Sequence, residues 1–338
     1  MRQRVKKTSD YTGRLAWISS EKDPALHSAI EEICLRERSE DFLILWVNPP
    51  SLHVGKNQNL WAQVSAREAY HSGISLNRRL SGGGTVYHDE GNLNFSLIST
   101  GEPKIAFCEH LHFLTPYFEA RSIPVEIRNR SDLFCHGRKF SGNAEYFSGG
   151  RVLHHGTLLF QTDLEKMQRH LTSDARGYED RAVDSNRSQT RNLAPLLPNL
   201  SNVYEFAEDL LRFLTSCHPD LERVEQPPAN IMKSAQSLRP NFLDPEWVLG
   251  RSPKYQFQRK VMNNGDTISS CLTVERGRIT DIELSCDNHR IDPLLQQIEE
   301  KLPNCLHTSE LIHDQLSVTG AFDFREFDLR ETWLPLFF

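Results

Sequence analysis

The sequence predicts an α+β protein in two units, a large domain over residues 1–240 and a small α+β accessory domain over residues 241–338. Three observations carry that expectation. Phe42-Leu43-Ile44-Leu45-Trp46-Val47 is an apolar run with the length of a buried strand, closed by Asn48-Pro49-Pro50. Stretches with helical spacing are interleaved with further strand runs through the first two thirds of the chain. Beyond a Pro-containing stretch from Pro227 to Pro253, which reads as an interdomain connection, Asn263-Asn264-Gly265 separates two strand patterns, a strong hairpin signal.

Taken in order, Leu15 to Ile18 is a strand. Asp23-Pro24 starts a helix, because Asp accepts orphan N–H groups and Pro fits the first helical position; Leu26, Ile30, Ile33 and Cys34 then recur at helical spacing. Leu52 to Gly55 is a short strand and Leu60 to Tyr70 a helix. Thr85 to His88 reads as a strand, Asp89 to Asn92 as a turn, and Leu93, Phe95 and Leu97 as one face of the next strand. Ile105 to Arg121 is a helix kinked near Pro116. Val125 to Ile127 is strand-like, a hairpin turns at His136-Gly137, and Arg151 to Phe160 is a further strand. Thr172 to Asn192 is polar and aperiodic, the pattern of a long mobile loop of the kind that forms lids. Val203 to Cys217 is an amphipathic helix, Ile279 to Ser285 a strand, and Pro293 to Leu302 and Ser309 to Leu316 are helices.

A net charge of -6 over 338 residues argues against a general nucleic-acid binder, which needs a basic surface for phosphate. No apolar run approaches a membrane span. The seven cysteines are scattered and never form Cys-x-x-Cys, which favours free thiols in a reducing compartment over disulfides or a zinc site. The basic Met1 to Lys7 stretch lacks the apolar core of a secretory signal.

The stretch from Arg78 to Ser96 holds the strongest chemical signal. Gly82, Gly83 and Gly84 have no side chains to pack and cost chain entropy, so they belong where backbone approaches a ligand, and their N–H groups suit an anion. Arg78 and Arg79 add fork-shaped donors for phosphate or carboxylate. No Gly-x-x-x-x-Gly-Lys-Ser/Thr run exists, so any nucleotide is held in another way. His154 and His155 are adjacent on a strand, point to opposite faces and cannot both ligate one metal. Cys135 has no base placed beside it in sequence and reads as structural.

The run Arg-Arg-x-Ser-Gly-Gly-Gly-Thr-Val-Tyr-His-Asp-x-Gly-Asn-Leu-Asn resembles the lipoate-protein ligases and their lipoyltransferase relatives. Asp132-Leu133, then Gly137 to Ala144, then His154 to Leu159 follow in the order and spacing of that family; where the family often has Asn before the Asp, this chain has Ser131. The resemblance implies the fold shared with biotin ligases, a large domain with a mixed β-sheet flanked by helices. It implies activation of lipoate with ATP and Mg²⁺ to lipoyl-AMP, and transfer to a lysine of lipoyl domains in 2-oxoacid dehydrogenase E2 subunits and the glycine cleavage H protein. It assigns Lys139 as the catalytic residue, touching the acyl carbonyl and the α-phosphate. Substrate contacts fall to Arg79, Ser81, Gly82, Gly83, Gly84, Thr85, Val86, His88, Asn92, Asp132, Ser141, Gly142, Ala144, His155, Gly156 and Thr157, with Asp132 also the candidate metal ligand. Strands such as Leu93 to Ile98 are expected to line an apolar tunnel for the acyl chain. The enzyme implied is a cytoplasmic monomer, mitochondrial in a eukaryotic cell, with no nucleic-acid or membrane partner. Two other classes stay open: a lipoyl or octanoyl transferase without the ATP step, and a non-catalytic lipoyl-AMP-binding paralogue.

Overall fold

The computed structural model describes residues 14–37, 40–101, 103–172, 177–182, 185, 188–322 and 328–338. Its centre is a six-stranded mixed sheet, in the order Asn143–Ser148, Arg151–Leu159, Asn92–Thr100, Asp41–Trp46, Arg14–Ile18, Leu221–Arg223. Arg14–Ile18 runs parallel to both its neighbours, and the other pairings are antiparallel. The Asp41–Trp46 strand shows why its sequence is apolar throughout. Leu43 and Leu45 face the helices Pro103–Glu119 and Val203–Cys217, while Phe42, Ile44 and Trp46 face the helices Pro24–Arg36 and Ala229–Leu243. A strand covered on both sides has no polar face to alternate with.

The helix Pro24–Arg36 begins as its sequence dictates, with the Asp23 carboxylate accepting from the N–H groups of Ala25 and Leu26. The stretch taken as an interdomain connection is mostly a helix instead. Ala229–Leu243 lays Ile231, Ala235 and Phe242 against the Pro24–Arg36 helix, and Arg239 pairs with Asp23. Pro240 lies in its last turns, where it removes one backbone donor from the helix. The Leu60–Tyr70 helix is two short ones, Leu60–Gln63 and Ala66–Ser72, because Ser65 caps the second through the N–H of Glu68.

Two three-stranded sheets flank the cleft: Ser75–Arg78, Ser51–Val54 and Val86–His88 on one side, Glu126–Arg128, Asp132–Cys135 and Arg138–Ser141 on the other. A four-stranded antiparallel sheet follows in the C-terminal part, with order Tyr178–Glu179, Tyr255–Asn263, Asp266–Glu275, Arg278–Cys286. Its first strand comes from the stretch read as a mobile loop. That stretch is anchored where described: Tyr178–Glu179 pairs with Gln256 and Phe257, and Asn59 donates to Asp180 at 2.8 Å. Residues 173–176, 183, 184, 186 and 187 of it lie outside the described residues. The C-terminal sheet shares one apolar core with Leu52, Val54, Trp61 and Tyr87. Among the described residues no helix is long and apolar enough to cross a membrane.

Arg78 ties these parts together. It is 1% exposed and donates to the carbonyls of Gly55 (2.8 Å), Gln58 (2.9 Å) and Val248 (2.8 Å) and to the Ser252 hydroxyl (2.9 Å). Trp247 Nε1 donates back to the Arg78 carbonyl at 2.7 Å. Buried and lining neither cavity, the guanidinium is turned to backbone rather than to a ligand anion, which corrects the reading of Arg78 as an anion donor. Arg78→Met is expected to destabilise the fold by about 2–4 kcal/mol, since three buried carbonyls lose their partner. Urea unfolding checks this, and an unchanged midpoint contradicts it.

Candidate functional site

Two adjoining cavities of about 260 and 720 Å³ meet along Lys139, Gly142, Thr157, Thr85, Val86 and Ser185. The smaller runs inward past Glu31, Trp46, His53, His88 and Asn94. The larger lies beneath Leu164, Met167 and Leu171 of the helix Leu164–Leu171, with Ser188, Gln189 and Thr190 along its side. Their common wall is the site.

Lys139 stands on the strand Arg138–Ser141, which the His136-Gly137 turn folds back on Asp132–Cys135; both turn residues take positive φ. Its ammonium sits 2.8 Å from Asp132 Oδ1, with 20% of the lysine side chain exposed and 8% of the aspartate's. On its other edge the strand is held by residues 189–191: the Lys139 N–H donates to the Gln189 carbonyl at 2.8 Å and the Arg191 N–H to the Lys139 carbonyl at 2.9 Å. A Cβ added at Gly142 would lie 3.1 Å from both Lys139 Cε and Nζ, so the glycine leaves the ammonium its place.

The Gly82–Gly84 loop is closed from inside by Arg79. Its guanidinium donates to the carbonyls of His53 (2.8 Å), Gly82 (2.7 Å) and Gly84 (2.5 Å). Gly83 takes φ +85°, open to glycine and strained for L side chains, and its Cβ would press on Arg79 at 3.2 Å. Burial lowers Arg79 to about 10, which leaves it charged at neutral pH. The loop carbonyls thus point to a fixed cation behind the cleft. Ser185 closes over the loop, accepting from the Thr85 N–H at 3.0 Å and donating to Gln63 Oε1 at 2.6 Å.

Glu31 is a buried carboxylate that sequence reasoning missed. It accepts from Ser96 Oγ at 2.6 Å and from His155 Nδ1 at 2.8 Å; the other ring nitrogen of His155 meets Ser81 Oγ at 2.6 Å. His155 is thereby fixed in the wall. Its signal lay in the Pro24–Arg36 helix, where His27 and Glu31 sit four residues apart beside the apolar stripe.

Behind Trp46 lies a second polar group. Asn48 accepts from His27 Nδ1 (2.8 Å) and donates to His53 Nε2 (3.2 Å) and His88 Nδ1 (3.3 Å), and His53 stacks on His88 at 4.1 Å. One set of neutral tautomers satisfies all of these bonds. Desolvation by burial lowers His27 to about 4 and His53 to about 3, and holds His88 well below its ordinary value.

Of the residues named from sequence, Arg79, Gly83, Gly84, Thr85, Val86, His88, Asp132, Lys139, Gly142, Ala144, His155, Gly156 and Thr157 line the smaller cavity, and Ser141 lines the larger. Ser81 and Gly82 stand one layer back, positioning His155 and Arg79. Asn92 is fully buried on Asn94 Oδ1 and lines neither cavity. The expected apolar tunnel along Leu93 to Ile98 is not there. Leu93, Phe95 and Leu97 pack into the core on the far face, and the strand shows Asn94 to the cavity, because alternate residues face opposite sides. Ser28, Asn129, Ser131 and Asn143 also line the cavity. Asn129 sits at φ +51° in the turn before Asp132 and donates to Asp132 Oδ2 at 3.4 Å. Cys135 is fully buried and burial raises its thiol, so it remains a packed side chain.

The family model for the lipoyl protein ligase A/B catalytic domain matches residues 23–215. The lipoate-protein ligase LplJ of Bacillus subtilis is 31% identical over 304 residues, covering 87% of this chain and 90% of its own. Among solved structures, LipL1 of P. falciparum in complex with lipoate aligns at a TM-score of 0.60 with 22% identity, over 90% of this chain and 94% of its own. A lipoate-protein ligase A bound with ATP aligns at 0.59 with 20% identity, over 71% of this chain and 99% of its own. These two likenesses show the fold, a mixed sheet flanked by helices.

The buried imidazoles set a pH dependence. Unfolded, they titrate near 6.5; folded, they refuse the proton until about pH 4 or 3. Their contribution to stability is therefore complete above about 6.5 and is lost as pH falls toward about 4. Urea unfolding is expected to show stability dropping between pH 7 and pH 5, by at most about 1.4 kcal/mol per pH unit for each imidazole, with a shallower drop in His27→Gln. Stability that stays level across that range contradicts the assignment.

Proposed function

Because the chain belongs to the lipoyl protein ligase A/B family, we propose that it activates lipoate with ATP and passes the lipoyl group to a lysine of an acceptor lipoyl domain. The observation that carries this reading is Lys139, a half-shielded ammonium at the seam of two cavities of different size. The smaller, walled by Trp46, Val86 and flat imidazole faces, suits a narrow acyl chain entering tail first; the larger suits a nucleotide. Their seam then holds the lipoate carboxylate and the α-phosphate together.

In the first step a carboxylate oxygen attacks the α-phosphorus. An O–P bond forms, the bond to pyrophosphate breaks, and lipoyl-AMP results. In the second, an acceptor amine attacks the acyl carbonyl, the amide forms, AMP leaves with the electron pair, and the amine loses its proton. Both steps develop negative charge on oxygens at the seam. A lysine ammonium stabilises such charge as a compact point donor. Asp132 keeps Lys139 aimed before substrate arrives, and Gly142 gives it room.

Mg²⁺ commonly takes one or two carboxylates and completes its shell with phosphate oxygens and water. Of the two carboxylates lining the smaller cavity among the described residues, Asp132 fits that pattern better: its partners are the partly exposed Lys139 and a long contact from Asn129, while Glu31 is committed to Ser96 and His155. Such an ion supplies charge neutralisation for the phosphates. The contact of Ser185 with Thr85 supports the reading of the 172–192 stretch as a cover for nucleotide.

Lys139→Ala is expected to lower transfer from supplied lipoyl-AMP to a lipoyl domain by about 10²–10³-fold, the usual loss for one donor to a developing oxyanion. A well-folded variant with near wild-type transfer removes Lys139 from the chemistry.

A further inference from the structure

We propose that His110, Glu145 and His154 form a binding site for Zn²⁺ on the face of the sheet opposite the cleft, bracing the strand behind Lys139. The three residues come from the helix Pro103–Glu119 and the strands Asn143–Ser148 and Arg151–Leu159, and Glu145 stands directly across from His154 in the ladder. One donor atom from each lies within 4.8 Å of the others. His154 is fully buried, and the side chains of Glu145 and His110 are 6% and 9% exposed.

The hydrogen bonding selects the donor atoms. His154 Nε2 is engaged by Asn143 Oδ1 at 3.2 Å, and His110 Nε2 by Ser99 Oγ at 2.9 Å. Each bond fixes one end of a ring and leaves its Nδ1 turned to Glu145 Oε1, at 3.2 Å from His154 and 4.0 Å from His110. Metal-bound imidazoles are held by such a partner on the second nitrogen. An ordinary hydrogen-bonded cluster accounts for the Glu145–His154 contact but leaves His110 Nδ1 and Glu145 Oε2 buried with no partner. A cation between the three, taken by His110 Nδ1 and by both oxygens of Glu145, satisfies both atoms. Around zinc the donors stand roughly 3.3–3.6 Å apart, so a small rotation of the His110 ring completes the set.

Two imidazoles and one carboxylate suit zinc rather than the all-oxygen shells of Mg²⁺ or Ca²⁺. Phe95 and Phe107 pack on His154, with ring centres at 5.7 and 5.1 Å, and give the site an apolar wall. The effect on the cleft runs through Asn143. Its Oδ1 holds His154, while its Nδ2 donates to the Ser131 carbonyl (2.6 Å) and Ser141 Oγ (3.0 Å) beside the pocket.

The test is to strip the full-length protein with chelator, dialyse it against Zn²⁺, and count bound metal by mass spectrometry. Co²⁺ substitution is measured in parallel. Wild type is expected to retain one zinc per chain, to melt at higher temperature with it, and to show cobalt d–d bands without thiolate-to-cobalt charge transfer. Glu145→Gln and His110→Gln should each bind at least about tenfold more weakly. Wild type that retains no zinc, thiolate bands from a cysteine site, or undiminished binding in folded variants overturns the proposal. The wild-type count and cobalt spectrum decide it even if a variant fails to fold.

Discussion

Two guanidiniums buried side by side, Arg78 and Arg79, hold the backbone on which the cleft is built. Arg78 gathers the carbonyls of Gly55, Gln58 and Val248, joining the sheet at the cleft to the segment leading into the C-terminal part. Arg79 gathers those of His53, Gly82 and Gly84, which sets the curvature of the glycine loop. A planar fork with five donors can satisfy several converging carbonyls at once; an ammonium cannot hold that geometry. The paired arginines are therefore as much a statement about backbone as about charge.

Around this frame the buried polar groups divide into kinds with different freedom. The Asn48 set and the Glu31–His155–Ser81 set are tied by several internal hydrogen bonds each, which hold the rings in place. Such networks rigidify a wall. The Asp132–Lys139 pair is different, because its lysine is partly exposed and faces open cavity. An arriving phosphate or carboxylate can draw on the ammonium without unfastening anything structural. Rigid walls around an available cation suit a reaction in which the protein mainly positions reactants and stabilises charge.

The fold was legible where local chemistry and tertiary role agree. The Asp23-Pro24 cap, the apolar Phe42–Val47 run, the Arg78–Asn92 motif and the Asn264-Gly265 turn each say locally what the structure uses globally. Glu31 was hidden because an acidic residue on a helix usually faces water, and only the sheet packed against it makes it a wall. Asn143–Ser148 escaped notice because it is an edge strand half-buried along most of its length, with no alternation of apolar and polar residues to mark it. Ser185 and Tyr178 gain their roles from partners more than 70 residues away, Thr85 and Phe257, which no window of sequence contains. Arg78 was misread because a guanidinium that binds carbonyls and one that binds phosphate look the same in a motif.

The account rests on one claim, that carboxylate activation and acyl transfer share the seam at Lys139. ATP–pyrophosphate exchange tests it most directly, run with lipoate, octanoate or biotin as the only carboxylate and with no acceptor protein present. Exchange that depends on lipoate, stops in Lys139→Ala and is not supported by biotin is the predicted result. A folded protein that shows no lipoate-dependent exchange, yet moves lipoyl groups from one lipoyl domain to another, would contradict the account and make the chain a transferase.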